Sequence, residues 1–460
     1  MSVSLAFTIV AVSIAMAVVL IQRGRLHPFI ALFLTSLFLG TCAGMAPAHV
    51  ISAFENGAGE VLGQIASVIA LGAMLGKMLE VSGGADQIAL TVVRLSGRRN
   101  MAWAMMLIGL LVGISVFFTV GFVILVPLAM SVARQTGLPM LRVALPMTAA
   151  LSVVQGLVPP HPGAMFALAA YHADVGRLIV WGILLSIPIA IIAGPLYAGF
   201  VVPRLGAVPM PAGHGEASQG VSARPGEHPD DRPDGHALPS FGITLLTILA
   251  PVVLMLGGSI ARLVCAPDSL ASIVLRFVGD PNVGMVLSVL LSFYTLGARQ
   301  GLTRQDMLRL SNESLAPLAS LFLMIGAGGG FGQELMESNL SAIITGAAIG
   351  MHIPLLLLAW LMASALRLAV GSATVAMGTT AGVVGPIMLQ GHGVSPELMV
   401  LATGSGAVMF GPLNDSGFWQ VKEALGMTVP QTIATWSVIE TLIGVSGLIL
   451  CAALWWMGMG

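Results

Sequence analysis

Long runs of Leu, Val, Ala and Met, each about twenty residues, fill most of this chain. As an α-helix, such a run matches the hydrocarbon thickness of a bilayer, and this property limits the fold more than any other. The 19 basic and 20 acidic residues make up 8% of the sequence, against roughly 25% in a soluble domain. So few charges cannot coat a body of 47.4 kDa with mean hydropathy +0.96. A soluble enzyme, a nucleic-acid binder and a disordered protein are excluded. The remaining class is an all-α polytopic membrane protein, because a transmembrane barrel would show short alternating segments. The net charge of −1 offers no global field for nucleic acid or anionic lipid. Cys42, Cys265 and Cys451 lie far apart without metal-ligand spacing, so no metal, cofactor or disulfide framework is expected. No basic region precedes the first apolar run, and residues 3–21 read as a retained span.

The pattern breaks once. Residues 203–240 are rich in Pro and Gly and hold Glu216, Glu227, Asp230, Asp231 and Asp234. That composition cannot bury enough surface to order itself, and it reads as a flexible cytoplasmic linker between a first membrane repeat (1–202) and a second (241–460). His214, His228 and His236 fall inside the linker, and a solvated tether holds no fixed ligand geometry. The positive-inside rule places Arg23, Arg25, Arg94, Arg98, Arg99, Arg134, Arg142, Arg299, Arg304 and Arg309 in the cytoplasm. It places the Lys- and Arg-free connections 46–60, 334–341 and 391–396 outside. The spans expected are 3–21, 28–45, 61–79, 102–120, 121–133, 143–158 and 178–202, then 241–261, 283–298, 314–333, 353–370, 371–390, 397–412 and 432–458. Seven segments per half make the second half inverted and put both termini in the periplasm. Segment 121–133 is too short to cross and reads as re-entrant or broken.

Gly and Pro interruptions recur in the two halves. Gly121, Pro127 and Val158-Pro159-Pro160-His161-Pro162 in the first answer to Gly371, Pro386 and Gly411-Pro412-Leu413-Asn414-Asp415 in the second. Matched interruptions in inverted repeats point to a secondary transporter. Backbone groups freed at such breaks must face protein, water or ligand. Three prolines around His161 cannot continue a helix, so His161 sits on an unwound stretch, either carrying a proton, donating to a substrate carboxylate, or capping a helix end. Asn414, Asp415 and Ser416 share one bend, and an intramembrane Asp is a site candidate. The competing reading makes Asp415 an N-cap. Ser372, Thr374, Thr379 and Thr380 beside a helix N-terminus suit an anion, or serve plain helix packing; Thr119 and Gly121 mark the matching first-half stretch. Arg367 pairs with a substrate carboxylate or with Asp415, or is a membrane-surface anchor. Residues 326–332, Gly-Ala-Gly-Gly-Gly-Phe-Gly, read as a flexible break, and without a following GK[ST] they are not a nucleotide loop. Lys77, Glu80, Glu334 and Glu337 fall near expected span ends and read as interfacial.

Several motifs together resemble the gluconate permease family. They are Phe-Phe-Thr-Val-Gly-Phe-Val-Ile-Leu-Val-Pro (117–127), Val-Pro-Pro-His-Pro-Gly (158–163), Gly-Ala-Gly-Gly (326–329), Arg-Leu-Ala-Val-Gly-Ser-Ala-Thr-Val-Ala (367–376) and Asn-Asp-Ser-Gly-Phe-Trp (414–419). Val-Lys-Glu (421–423) and Thr-Trp-Ser-Val-Ile-Glu-Thr (435–441) complete the match. The resemblance implies a proton symporter of the bacterial inner membrane, with inverted repeats and re-entrant hairpins, that takes up gluconate or a related hydroxy-acid. Members usually carry an acidic residue in place of Thr119, His in place of Gln155 and Lys in place of Gly332, so this chain lacks three ionisable groups. The family also contains carriers of D-serine. The expected partners are a small carboxylate substrate, a co-transported proton and the lipid bilayer, with a homo-oligomer an open alternative to a monomer. The expected site joins Thr119, Gly121, His161, Ser372, Thr374, Thr379, Asn414, Asp415 and Ser416 as substrate contacts. Arg367 supplies the counter-charge, and His161 or Asp415 carries the proton. An uncoupled anion channel is the competing reading. A membrane enzyme is not, since the chain has no HExxH or GxSxG motif.

Overall fold

The structure, a computed structural model, describes residues 2–205, 238–266, 269–316, 318–338, 340, 343, 354–388, 393–412 and 415–458. Their regular structure is helical throughout. The first half runs α1 (Val3–Gln22), α2 (Pro28–Cys42), α3 (Pro47–Val81), α4 (Gly84–Ser96), α5 (Met101–Gly113), α6 (Phe118–Thr136), α7 (Met140–Leu157), α8 (Pro162–Tyr171) and α9 (Val175–Ile191). A π-turn at Ile192–Leu196 carries α9 into α10 (Tyr197–Val201). The second half opens with α11 (Phe241–Val264), α12 (Leu270–Val278), α13 (Pro281–Ser292), α14 (Arg304–Leu315) and α15 (Leu318–Glu337). It continues with α16 (Leu355–Val370), α17 (Ala373–Met388), α18 (Pro396–Val408), α19 (Ser416–Ala424), α20 (Val429–Thr432) and α21 (Val438–Trp456).

Local chemistry explains where helices start and stop. Pro28, Pro47, Pro162, Pro281 and Pro396 occupy first-turn positions, where a missing N–H leaves no bond unmade. Asp174, Ser269, Asp280, Thr303 and Ser395 cap the helices that follow them. Among the described residues seven helices are long and apolar enough to cross a membrane, or up to nine if each of two bent pairs is one span.

The bundle is layered around α7 and α18. Every residue of α18 from Glu397 to Val408 is buried, as is most of Met140–Tyr171. Helix α5 packs on α7, α16 packs on α18, and α8 lies against α17 and α18. So central helices contact protein on all sides, whereas α11 and α21 leave Leu246, Val253 and Ile449 exposed, as a lipid-facing surface requires.

Three expectations are corrected. Segment 121–133 is not short: α6 covers Phe118–Thr136 and is long enough to cross, with Pro127 tolerated in its interior. The connection 46–60 is helical from Pro47, and α3 bends by 41° only near residue 64. Residues 326–332 form no break but lie inside α15. Their glycines let backbones touch: a Cβ on Gly329 would stand 2.6 Å from the Gly57 carbonyl, and one on Gly332 would stand 2.7 Å from that of Gly382. Small residues there serve close helix packing. Of the linker 203–240, residues 206–237 lie outside the described residues.

Candidate functional site

Four chain breaks meet the central helices. They fall between α5 and α6, between α7 and α8, between α16 and α17, and between α18 and α19. The break after α18 needs its glycine: Gly411 has φ +46°, and a Cβ there would lie 2.6 Å from the indole nitrogen of Trp436.

Arg367 is the charge at the centre of this arrangement. It lies in the last turn of α16 and is 2% exposed. Its Nη2 donates to Asp415 Oδ2 at 2.6 Å, and its Nη1 donates to the Gly371 carbonyl, which the left-handed turn at Gly371 (φ +80°) presents. Asp415 also accepts from the Gly417 amide at 3.0 Å and from Trp436 Nε1 at 3.4 Å. A second carboxylate, Glu440 Oε2, stands 3.9 Å from Arg367 Nη2, and Ser152 Oγ donates to Glu440 Oε1. One guanidinium nitrogen is left over. Among the described residues Arg367 Nε is buried with no hydrogen-bond partner. A buried guanidinium with an unmade bond carries a penalty of about 1–3 kcal/mol, which a bound acceptor would remove.

The first half reaches this cluster through α6. The Phe118 amide donates to Gln155 Oε1 at 2.8 Å, and the Phe118 ring packs on Trp436 with centroids 5.1 Å apart. Gln420 Nε2 donates to the Thr119 carbonyl at 2.9 Å. Gln155, a position marked only as a departure from the family pattern, thus caps the start of α6 with a neutral acceptor.

The sequence-derived residues divide. Arg367 and Asp415 come together, with Asp415 both ion-paired and capping α19. Thr119 meets Gln420 through its backbone, while its own residue is exposed. Gly121 packs against Leu151, where a Cβ would stand 3.1 Å from the Leu side chain. Ser372 Oγ accepts from the Val375 amide at 3.4 Å and starts α17. Thr374 and Thr379 line a separate cleft of about 10 Å³ beside Met324 and Ile325, the size of a single water. His161 is buried on its unwound stretch, with Nδ1 2.9 Å from the Val158 carbonyl and its ring 6.0 Å from that of Phe117. Asn414 lies outside the described residues, and Ser416 opens α19.

Ser152 carries no signal in the sequence, whereas Trp436 and Glu440 enter only within the family-like stretch 435–441 without a role of their own; an acid inside the apolar α21 is the signal that marks Glu440. Glu334, expected at an interface, is fully buried. A larger cavity, about 80 Å³, lies apart from Arg367 between α3, α8, α15 and α17, with Glu60, His172, Gln333 and Gly382 on its walls. Among the described residues no three His, Cys, Asp or Glu side chains converge as a metal ion would require.

Comparison with known proteins agrees with this architecture. The chain is 42% identical over 439 residues to a gluconate permease of Pseudomonas aeruginosa, covering 95% of each. It is 39% identical over 442 residues to the D-serine transporter DsdX of Escherichia coli, covering 95% of this chain and 96% of that one. In fold it resembles the YdaH transporter of Alcanivorax borkumensis, with a TM-score of 0.66 at 18% identity, over 94% of this chain and 98% of that chain. The GntP family permease model matches residues 5–457. The protein is therefore a multi-pass membrane transporter rather than an enzyme, and it belongs to the GntP family of permeases.

Proposed function

We propose that the protein imports gluconate or a related small hydroxy-carboxylate together with protons, and that Arg367 receives the substrate carboxylate. The carrying observation is the buried guanidinium with its Nε unpartnered and its Nη2 held by a replaceable carboxylate, Asp415. A proton on Asp415 weakens that ion pair and frees the guanidinium fork for an incoming carboxylate, with which it can bond bidentately. Loading is then charge-neutral, and an anion entering a negative interior no longer works against about 2.3 kcal/mol per 100 mV. His161, held by Val158 at the neighbouring break, is the second candidate for proton transfer in this reading. The paired interruptions, α5/α6 with α16/α17 and α7/α8 with α18/α19, support two inverted repeats that move against each other. Both termini then lie in the periplasm of the inner membrane.

A second reading, uptake of D-serine or another amino acid, is favoured by one feature. Two carboxylates, Asp415 and Glu440, stand around a single guanidinium, and the surplus acid suits an ammonium group. Uptake of radiolabelled gluconate into proteoliposomes under an inward proton gradient tests the first reading. Accumulation blocked by unlabelled gluconate but not by D-serine is expected. Accumulation of D-serine with none of gluconate overturns it.

A further inference from the structure

Glu334 is used by none of the steps above, yet among the described residues both of its carboxyl oxygens are buried without a hydrogen-bond partner. It lies near the end of α15 and is fully buried. Across the seam, α2 contributes Ser36, whose hydroxyl is turned toward it but is itself unpartnered. A Cβ on Gly40 of α2 would come within 3.4 Å of Glu334 Oε2 and 2.8 Å of Val50 on α3. The carboxyl therefore sits in a closed three-helix seam. Its sequence neighbours Gln333 and Gly332 line the 80 Å³ cavity on another face of α15.

Few charges surround it. On its own helix Glu337 is close, and that residue is paired with His49 of α3 at 2.9 Å. Helix α3 also carries Glu55 and Glu60, and farther along Lys77 and Glu80; α2 has Cys42 and α17 has no titratable side chain. Arg304, Asp306, Arg309 and Glu313 of α14 belong to the opposite end of α15. No cation is within ion-pair distance of Glu334 among the described residues. An ionised carboxylate enclosed with no counter-charge, and with one hydroxyl (Ser36) at most to donate to it, is strongly disfavoured, whereas the neutral acid is tolerated.

We infer that Glu334 is a second proton-binding site of the transport cycle, distinct from the Arg367–Asp415 pair. It takes up a proton when the α2–α3–α15 seam opens and holds the proton as a neutral carboxylic acid when the seam closes. Glu334–COO⁻ plus H⁺ gives Glu334–COOH on one side of the membrane, and the reverse gives the proton up on the other. The inference rests on proton-coupled uptake as proposed above and deepens it. One proton on Asp415 balances the substrate anion, and a second on Glu334 makes each inward step carry one net positive charge.

The test uses the purified full-length chain in proteoliposomes, with no pH gradient and an inside-negative potassium diffusion potential. The wild type should respond to voltage, since one net charge at about 100 mV supports accumulation of up to about 50-fold. Glu334→Gln should retain gluconate–gluconate exchange and uptake driven by a pH gradient, while losing the response to potential. An unresponsive wild type, or a Glu334→Gln protein that still responds, overturns the inference. A substrate-free measurement covers the case in which the variant does not fold. Dicyclohexylcarbodiimide modifies protonated carboxyls in apolar surroundings. It should label Glu334 in the wild-type protein, with labelling that falls as pH rises, and an unlabelled Glu334 refutes the site. Absence of gluconate exchange in the wild type would instead refute the substrate assignment, and the carbodiimide result would still decide on Glu334.

Discussion

Arg367 shows how one residue ties the two breaks of the second half together. Its guanidinium bonds both the Gly371 carbonyl at one break and Asp415 at the other. Lysine has a single charged head and cannot make that fork. Asp415→Asn would leave the buried cation with Glu440, 3.9 Å away, as its nearest acid. Breaking a buried pair from one side costs about 3–5 kcal/mol. The expected outcome is a lower unfolding temperature in detergent and at least about tenfold slower uptake. An Asp415→Asn protein with wild-type melting and uptake would remove the pair from the site. Asp415 was legible in the sequence because an acid at a Gly-Pro break is conspicuous. Glu440 is legible only as part of the family-like stretch 435–441 and not as a member of this cluster, because its partners, Ser152 and Arg367, come from distant segments.

At the scale of elements, proline and glycine carried unequal information. The prolines from 159 to 162 end α7 by removing donors, and the break they announce is where it was expected. Glycine has two uses, as a hinge and as a contact surface, and sequence does not separate them. The run 326–332 reads in the sequence as a flexible break, yet it is helical and pressed against α3 and α17. Gly57 and Gly59, both in α3, make a controlled comparison. A Cβ on Gly57 would stand 2.4 Å from the Gly329 carbonyl, whereas nothing lies within 4 Å of one on Gly59. Gly57→Ala should destabilise the protein by about 1–3 kcal/mol, and Gly59→Ala should leave it unchanged or stabilise it by about 0.5–1 kcal/mol. Thermal unfolding of the two purified variants reads the difference, and equal effects would contradict the packing account. Short helices such as α4, α8 and α19 escaped the hydropathy pattern because they fall below spanning length or carry polar residues.

For the whole molecule, scarcity of charge and long apolar runs were enough to define a helical membrane protein. They did not define how the halves interlock, which depends on contacts such as Phe118 on Trp436. In the proposed orientation the connections near Arg98 and near Arg299, both rich in arginine, lie on the same, cytoplasmic side. Cysteines placed at Gly97 and Gly301, after replacement of the three native cysteines, should both resist a membrane-impermeant maleimide in intact cells and react after lysis. Labelling of just one of them in intact cells would contradict the proposed inverted arrangement.

We propose above all that a small acid binds where Arg367 and Asp415 meet. An experimental map of the protein saturated with gluconate tests it most directly. The expected map has ligand density with a carboxylate within hydrogen-bond distance of the Arg367 guanidinium and the Asp415 contact lengthened. Density confined to the cavity beside Gln333 and His172, with the Arg367–Asp415 pair intact, would contradict it.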